Sequence, residues 1–366
     1  MSPTRLHDWS KALSRRWDRW RSRLGLGERY PITIAPYRGF GRPDYVYFSG
    51  RVLRDKFIIR RDGDTSWRNF INNVKRFNSR EINFAKLKVT IGDRTFDLIS
   101  DAEGYFHLER DLQPPLPPTP GQLWQPVRIH VHEIPPQQPV DVTRESIIMI
   151  PEAADFGLIS DIDDTILKTE VTSLMKLRTL YLTLLKNAGS RIAFRQVSAF
   201  YRAMKAGPGG ESQNPFFYVS NSPWNLYDLL EEFLELNNLP RGPILLRDFG
   251  LSYQDLPADY RGHKYEQIAR ILRTYPDLAF VLVGDSAEKD TDIYLSITEA
   301  FPGQIRAIYI RDVLHPGRAK RIKQLIQEKR EAPVSLIRTY EEAARHAAGL
   351  GLLQLEQFVS LQKGLG

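Results

Sequence analysis

There is no cysteine among the 366 residues. Disulfides, thiolate zinc sites and a thiol nucleophile are therefore excluded. No stretch approaches the ~18 consecutive apolar residues that a membrane-spanning helix requires. The positively charged start of the chain has no apolar run behind it, so it does not read as a secretory signal. Long polar tracts are missing as well. What remains, 42% hydrophobic and 26% charged residues, is the composition of a globular fold, and the length calls for two domains rather than one core.

Charge is unevenly spread. Residues 1–30 hold eight Lys and Arg against three Asp and Glu, and residues 166–215 hold eight against two, so the rest of this +7 chain is net acidic. Two local positive fields point to an anionic partner or substrate near those segments. Within residues 1–29, Leu6, Trp9, Leu13, Trp17, Trp20 and Leu24 recur at steps of three or four with arginines between them. That spacing predicts a basic amphipathic helix ending near Gly25 and Gly27. Such a helix suits either an anionic membrane surface or packing on its own protein.

From Tyr30 the pattern changes to short alternating runs, among them Tyr45–Phe48, Lys86–Ile91, Thr95–Ile99, Tyr105–Leu108 and Val127–His132. Gly92-Asp93 and Asp101–Gly104 supply turns between them. Short strands at this spacing predict a β-sandwich over residues 30–140. An aspartate-rich turn and glycine before an aromatic strand also resemble transthyretin-like and carboxypeptidase-regulatory-like sandwiches. His130 and His132 alternate along one strand and read as sandwich-surface residues, or as half a metal site without named partner ligands. Pro114–Pro120 is a stiff extended segment, suited to a rigid loop or to a proline-recognising domain.

After Pro135–Pro139 the pattern changes again, over residues 141–335. Nearly continuous apolar runs (Phe156–Ser160, Phe216–Ser220, Ile244–Leu246, Ala279–Val283 and Ile305–Ile310) alternate with helical segments. This predicts an α/β domain with a doubly wound parallel sheet, whose ligands bind outside the carboxyl ends of the strands. Residues 336–366 look helical and carry no chemical signal.

Polar clusters follow those runs. The first is Ser160-Asp161-Ile162-Asp163-Asp164-Thr165, the second Ser220-Asn221-Ser222, and the third Lys264 at a helix start. The fourth is Gly284-Asp285-Ser286 with Asp290 and Asp292. Singly, each is more often a cap or a turn. In this order they supply what phosphate monoester hydrolysis needs. Asp161 can attack phosphorus, and Asp163 can protonate the leaving alcohol and then activate water. Asp161, Asp163 and Asp285 can hold Mg2+, a hard ion that takes oxygen ligands beside a phosphate. Thr165, Ser220, Asn221 and Lys264 form the expected phosphate-binding set, with Ser286 and Asp290 in support.

Asp161–Thr165, Ser220, Lys264 and Gly284-Asp285 with Asp290 resemble motifs I to IV of the haloacid dehalogenase superfamily. The stretches Tyr218–Trp224, Leu246–Gly250 and Val283–Asp290 are similar to those of the actin-patch phosphatidate phosphatase family, over about Asp155 to Val313. The resemblance implies magnesium-dependent removal of phosphate from phosphatidate or related lipid phosphates. It gives Asp161 as nucleophile, Asp163 as acid/base, Asp285 as metal ligand and Asp290 as a supporting acid. About fifty residues separate the first two motifs, far more than a crossover needs. Residues 166–215 are therefore expected to form a cap carrying the second basic cluster, with Gly207–Gly210 as its return. The expected setting is cytoplasmic, with an anionic lipid as substrate and peripheral membrane contact through residues 1–30 or the cap. Nucleic acid and an obligate protein partner are not expected. Two other readings fit the motifs: a phosphatase of a soluble sugar, nucleotide or polynucleotide phosphate, and a non-catalytic membrane-associated scaffold.

Overall fold

The computed structural model describes residues 31–54, 80–117, 120–162, 188–247, 262–286, 290–312, 320–322, 324–325 and 333–364. The amphipathic segment 1–29, Asp163, Asp164, Thr165 and the first part of the expected cap lie outside the described residues.

Alternation of apolar and polar side chains builds the first half. Its strands are β1 (Ile32–Pro36), β2 (Gly39–Arg42), β3 (Tyr45–Arg54), β4 (Arg80–Glu81), β5 (Lys86–Ile91), β6 (Arg94–Ile99), β7 (Tyr105–Asp111), β8 (Trp124–Ile134) and β9 (Gln138–Met149). They join in the order β1-β3-β2-β9-β8-β5-β6, with β4 and β7 also on β3. In β5 the residues Leu87, Val89 and Ile91 turn inward while Lys86 and Lys88 face water. Gly92-Asp93 makes the expected hairpin, pairing Ile91 with Arg94. The inward residues, including Phe48, Phe106, Ile129 and Val131, form a core of their own. This region is compatible with the expected sandwich, although the ten-residue β3 joins its strands into one hydrogen-bonded sheet.

One boundary moves here. Pro135–Gln137 is the turn between β8 and β9, which pair from Ile134↔Gln138 to Trp124↔Met149. The first unit thus extends past residue 140 to Met149, because Val142 and Ile148 continue the inward alternation. In the proline segment Leu116 is buried and its N–H donates to the Pro43 carbonyl at 2.7 Å, which pins that stretch to the core as a loop.

The second half is a six-stranded sheet of β10 (Gly157–Asp161), β11 (Phe216–Pro223), β12 (Ile244–Arg247), β13 (Phe280–Asp285), β14 (Ile305–Arg311) and β15 (Val334–Ile337). The order is β12-β11-β10-β13-β14-β15 and every pairing is parallel. The chain builds outward from β10 in one direction, then returns to build from β13 in the other. That reversal defines a switch point between β10 and β13, where doubly wound sheets bind ligands.

Strands buried on both faces require cover on both. One face lies under α1 (Ala188–Ala206), α2 (Tyr227–Leu236), α5 (Tyr340–Gly349) and α6 (Leu355–Gly364). The other lies under α3 (His263–Thr274) and α4 (Asp290–Ala300), together with Phe40, Tyr47, Leu123 and Met149 from the first unit. Helix α1 falls within the expected cap, yet Phe200, Tyr201, Ala203 and Met204 pack it against the sheet. The C-terminal segment, without a signal in the sequence, supplies half of β15 and both terminal helices. Among the described residues, no helix is long and apolar enough to cross a membrane.

Phe200 is fully buried, with its ring against Tyr309 and Tyr340 at centroid distances of 5.8 and 5.6 Å. Phe200→Ala should destabilise the protein by about 3–5 kcal/mol, measured by urea unfolding.

Candidate functional site

Strands β10 and β13 run through apolar residues until each ends on an aspartate. Ser160 lies opposite Val283 in their parallel register, which brings Asp161 and Asp285 to the carboxyl ends of adjacent strands at the switch point. Both are 4% exposed. In the βαβ arrangement, helices that precede or follow these strands begin at the same end. Accordingly, α3 places Lys264 in its first turn, and α4 starts on Asp290.

The Lys264 ammonium stands 3.0 Å from Asp161 Oδ2 and 2.7 Å from Asp290 Oδ1, with all three side chains nearly inaccessible to water. The second oxygen of Asp290 accepts the backbone N–H of Asp285 at 3.3 Å. Asp290 therefore ties the lysine to the other strand end, and its charge complements the amino terminus of α4. Gly284 is required by this contact. A Cβ there would lie 2.5 Å from Asp290 Oδ2 and 2.9 Å from the Tyr294 ring.

On the next strand Ser220 is fully buried, and its Oγ accepts the Ser222 N–H at 2.9 Å, while Asn221 is exposed. Ser286 is buried after Asp285, with its N–H donated to the Arg311 carbonyl at 2.9 Å. The structure thus brings Asp161, Lys264, Asp285 and Asp290 together. It sets Ser220, Asn221 and Ser286 at the same sheet end, while Asp163 and Thr165 lie outside the described residues.

Asp161 and Asp285 offer carboxylate oxygens from neighbouring strands, a donor chemistry that fits a hard divalent cation. Among the described residues no group of three or more His, Asp or Glu is arranged to hold a metal ion. Of the three expected ligands, Asp163 is the one outside that description. His130 and His132 sit 6.0 Å apart, and His130 Nε2 is 3.1 Å from Asp141, with no third ligand among the described residues.

Several residues escaped the motif reading. Tyr201 OH lies 2.7 Å from Ser160 Oγ, which also donates to the Asp161 carbonyl at 3.0 Å. Burial holds the Tyr201 hydroxyl protonated far above the ordinary tyrosine range, with the neighbouring Tyr340 adding to the shift. On the opposite face Tyr294 donates to the Val283 carbonyl at 3.0 Å. Burial, reinforced by the charges of Asp290, Asp161 and Asp285, keeps it neutral as well. No spacing in the sequence links Tyr201 to Ser160, because only packing brings α1 against β10.

The basic cluster expected to steer a headgroup does not all face this site. Lys205 lies in the last turn of α1 and its carbonyl accepts the Asn214 N–H at 3.1 Å, just before β11 begins. That is the amino end of the sheet, opposite Asp161. Burial, and then the Arg241 charge, lowers the Lys205 pKa. Arg247 and Arg311, by contrast, end β12 and β14 on the side of the site.

Two tests follow from this geometry. Gly284→Ala should displace the Asp290 carboxylate from Lys264 and destabilise the protein by about 1–3 kcal/mol, read by urea unfolding. His263, next to Lys264, has its pKa lowered from 6.5 to about 4, first by burial and then by neighbouring cations such as Arg247. The unfolded chain binds this proton more readily than the native one, so stability rises with pH between about 4 and 6.5. His263→Gln should flatten that slope in unfolding curves.

Residues 156–312 match the family described as phosphatidate phosphatase APP1, catalytic domain. Phosphatidate phosphatase APP1 of Saccharomyces cerevisiae is 36% identical over 156 residues, 42% of this chain and 25% of the yeast protein. An uncharacterized protein of Schizosaccharomyces pombe is 28% identical over 220 residues, 60% of this chain and 35% of that protein. The chain therefore spans about a quarter to a third of the length of these curated relatives. Among solved structures, a carbohydrate acetylesterase from Xanthomonas citri aligns over 83% of this chain and 75% of its own, at 10% identity and a TM-score of 0.27. So slight a likeness carries no argument about fold or activity.

Proposed function

From the membership of residues 156–312 in the APP1-like phosphatidate phosphatase family, we propose that this protein is a phosphoric monoester hydrolase that removes phosphate from phosphatidate or a related lipid phosphate. The observation that carries the reading is the buried carboxylate pair Asp161 and Asp285 at the switch point, with Lys264 bonded to Asp161. Such a pair suits a haloacid dehalogenase-like domain working on an anionic substrate.

In this reading Asp161 is the nucleophile. Its carboxylate attacks phosphorus in line with the lipid alcohol and forms an aspartyl-phosphate. Lys264, 3.0 Å from Oδ2, fixes the carboxylate rotamer and offsets negative charge as it builds on the transferring group. Ser220, Asn221 and Thr165 bind the non-bridging oxygens. Asp163 gives its proton to the departing alkoxide, then takes one from the water that cleaves the acyl phosphate. Magnesium held by Asp161, Asp163 and Asp285 would neutralise the substrate dianion. Asp290 and Ser286 support this set from the start of α4 and the end of β13. Residues 1–30, rich in tryptophan and arginine, are proposed to bring the enzyme to an anionic bilayer surface.

Inorganic phosphate release from phosphatidate in mixed micelles, with and without magnesium, tests the proposal. Activity should require the cation and vanish in Asp161→Asn, and Asp163→Asn should lose roughly 10²–10⁴-fold in kcat. Robust turnover of soluble phosphate esters with none of any lipid phosphate would overturn the substrate assignment.

A further inference from the structure

The strand that carries Ser220 changes register beside it. The parallel pairing of β11 with β12 shifts register between Val219 and Pro223, so the ladder is interrupted beside Ser220-Asn221-Ser222. Beyond Pro223 the chain makes a single 3-10 turn, Trp224–Leu226, before α2.

The turn between β1 and β2, in the β-rich unit, reaches that segment. The Tyr37 ring stacks on Trp224 at a centroid distance of 4.3 Å and an interplanar angle of 26°. It also lies 4.6 Å from the Tyr227 ring. Next along, the Arg38 backbone N–H donates to Tyr227 OH at 2.8 Å. The Arg38 guanidinium is 2.9 Å from Glu231 and 3.1 Å from Glu235, with its side chain only 7% exposed. Tyr37, Trp224 and Tyr227 are all buried. Aromatic stacking contributes beyond the area it buries, and a guanidinium so enclosed cannot lose its carboxylates cheaply. The contact is thus rigid in both position and orientation.

We propose that the β1–β2 turn is a positioning device for the phosphate-binding strand end. Tyr37 and Arg38 grip Trp224 and α2, and through them hold Ser220 and Asn221 at the distance from Asp161 that the reaction needs. The β-rich unit thereby forms part of the catalytic apparatus without touching the substrate. This inference rests on the phosphatase reading above.

The test uses the full chain and phosphatidate in mixed micelles, with inorganic phosphate as a competing ligand. Tyr37→Ala should lower kcat/KM by roughly ten- to a hundredfold and weaken inhibition by inorganic phosphate by about tenfold. Both are measured well below the thermal midpoint, so that every variant is folded. Tyr37→Phe, which keeps the ring, should restore both values, and Lys88→Ala on the exposed face of β5 should leave them unchanged. If Tyr37→Ala does not fold, Tyr37→Leu replaces it, retaining apolar bulk without a stacking plane. A lowered midpoint with unaltered kcat/KM and phosphate inhibition would reduce the contact to plain stability and overturn the inference. An inactive wild-type protein would instead defeat the phosphatase reading, so the two failures are distinguishable.

Discussion

A lysine ammonium shut away from water needs anionic partners, and Lys264 has one on each side. Asp161 comes from the end of β10 and Asp290 from the start of α4. Removing the lysine would take the shared cation from two buried carboxylates, a far larger loss than any surface ion pair entails. The arrangement explains several otherwise separate facts. It accounts for a glycine before Asp285, for an aspartate as the first residue of α4, and for Lys264 in the first turn of α3. Each is a condition for bringing three buried charges within contact of one another.

Around that centre the molecule divides less cleanly than the sequence pattern suggests. Phe40 from β2 meets Phe217 edge-on at 5.4 Å, and Tyr275 donates to the Gly41 carbonyl at 3.0 Å. Arg270 of α3 lies over the Tyr47 ring at 4.8 Å. These contacts place residues of the β-rich unit inside the apolar layer that covers one face of the parallel sheet. Two sheets of different construction therefore share part of a core.

The chemistry-bearing residues were legible because strand ends at a switch point impose order on the sequence. An apolar run must stop where it meets solvent or ligand, so Asp161, Ser220 and Asp285 stand out at once. The alternating runs also located the strands around Gly92-Asp93. Other features depended on distance in space alone. Pro135–Gln137 marks a change of pattern in the sequence but closes a hairpin, and only the pairing of Val142 and Ile148 reveals it. The first half of the long insertion and α1 look continuous in sequence, yet Phe200 and Tyr201 belong to the sheet. Tyr340 gives no local sign that its ring packs against Tyr201. The strand β15 is four residues long and amphipathic in neither sense, which hid it within a helical tail.

The apolar layer shared through Phe40, Leu123 and Met149 has a consequence for how such a protein could be dissected or could evolve. A fragment cut at residues 156–312 would keep all the recognisable motif residues and still present bare hydrocarbon where those three side chains now sit. It would also lose α5 and α6 from the opposite face. The segment by which the chain is recognised is therefore smaller than the segment that can stand alone in water, and inheritance of the site carries with it an obligation to be covered from outside.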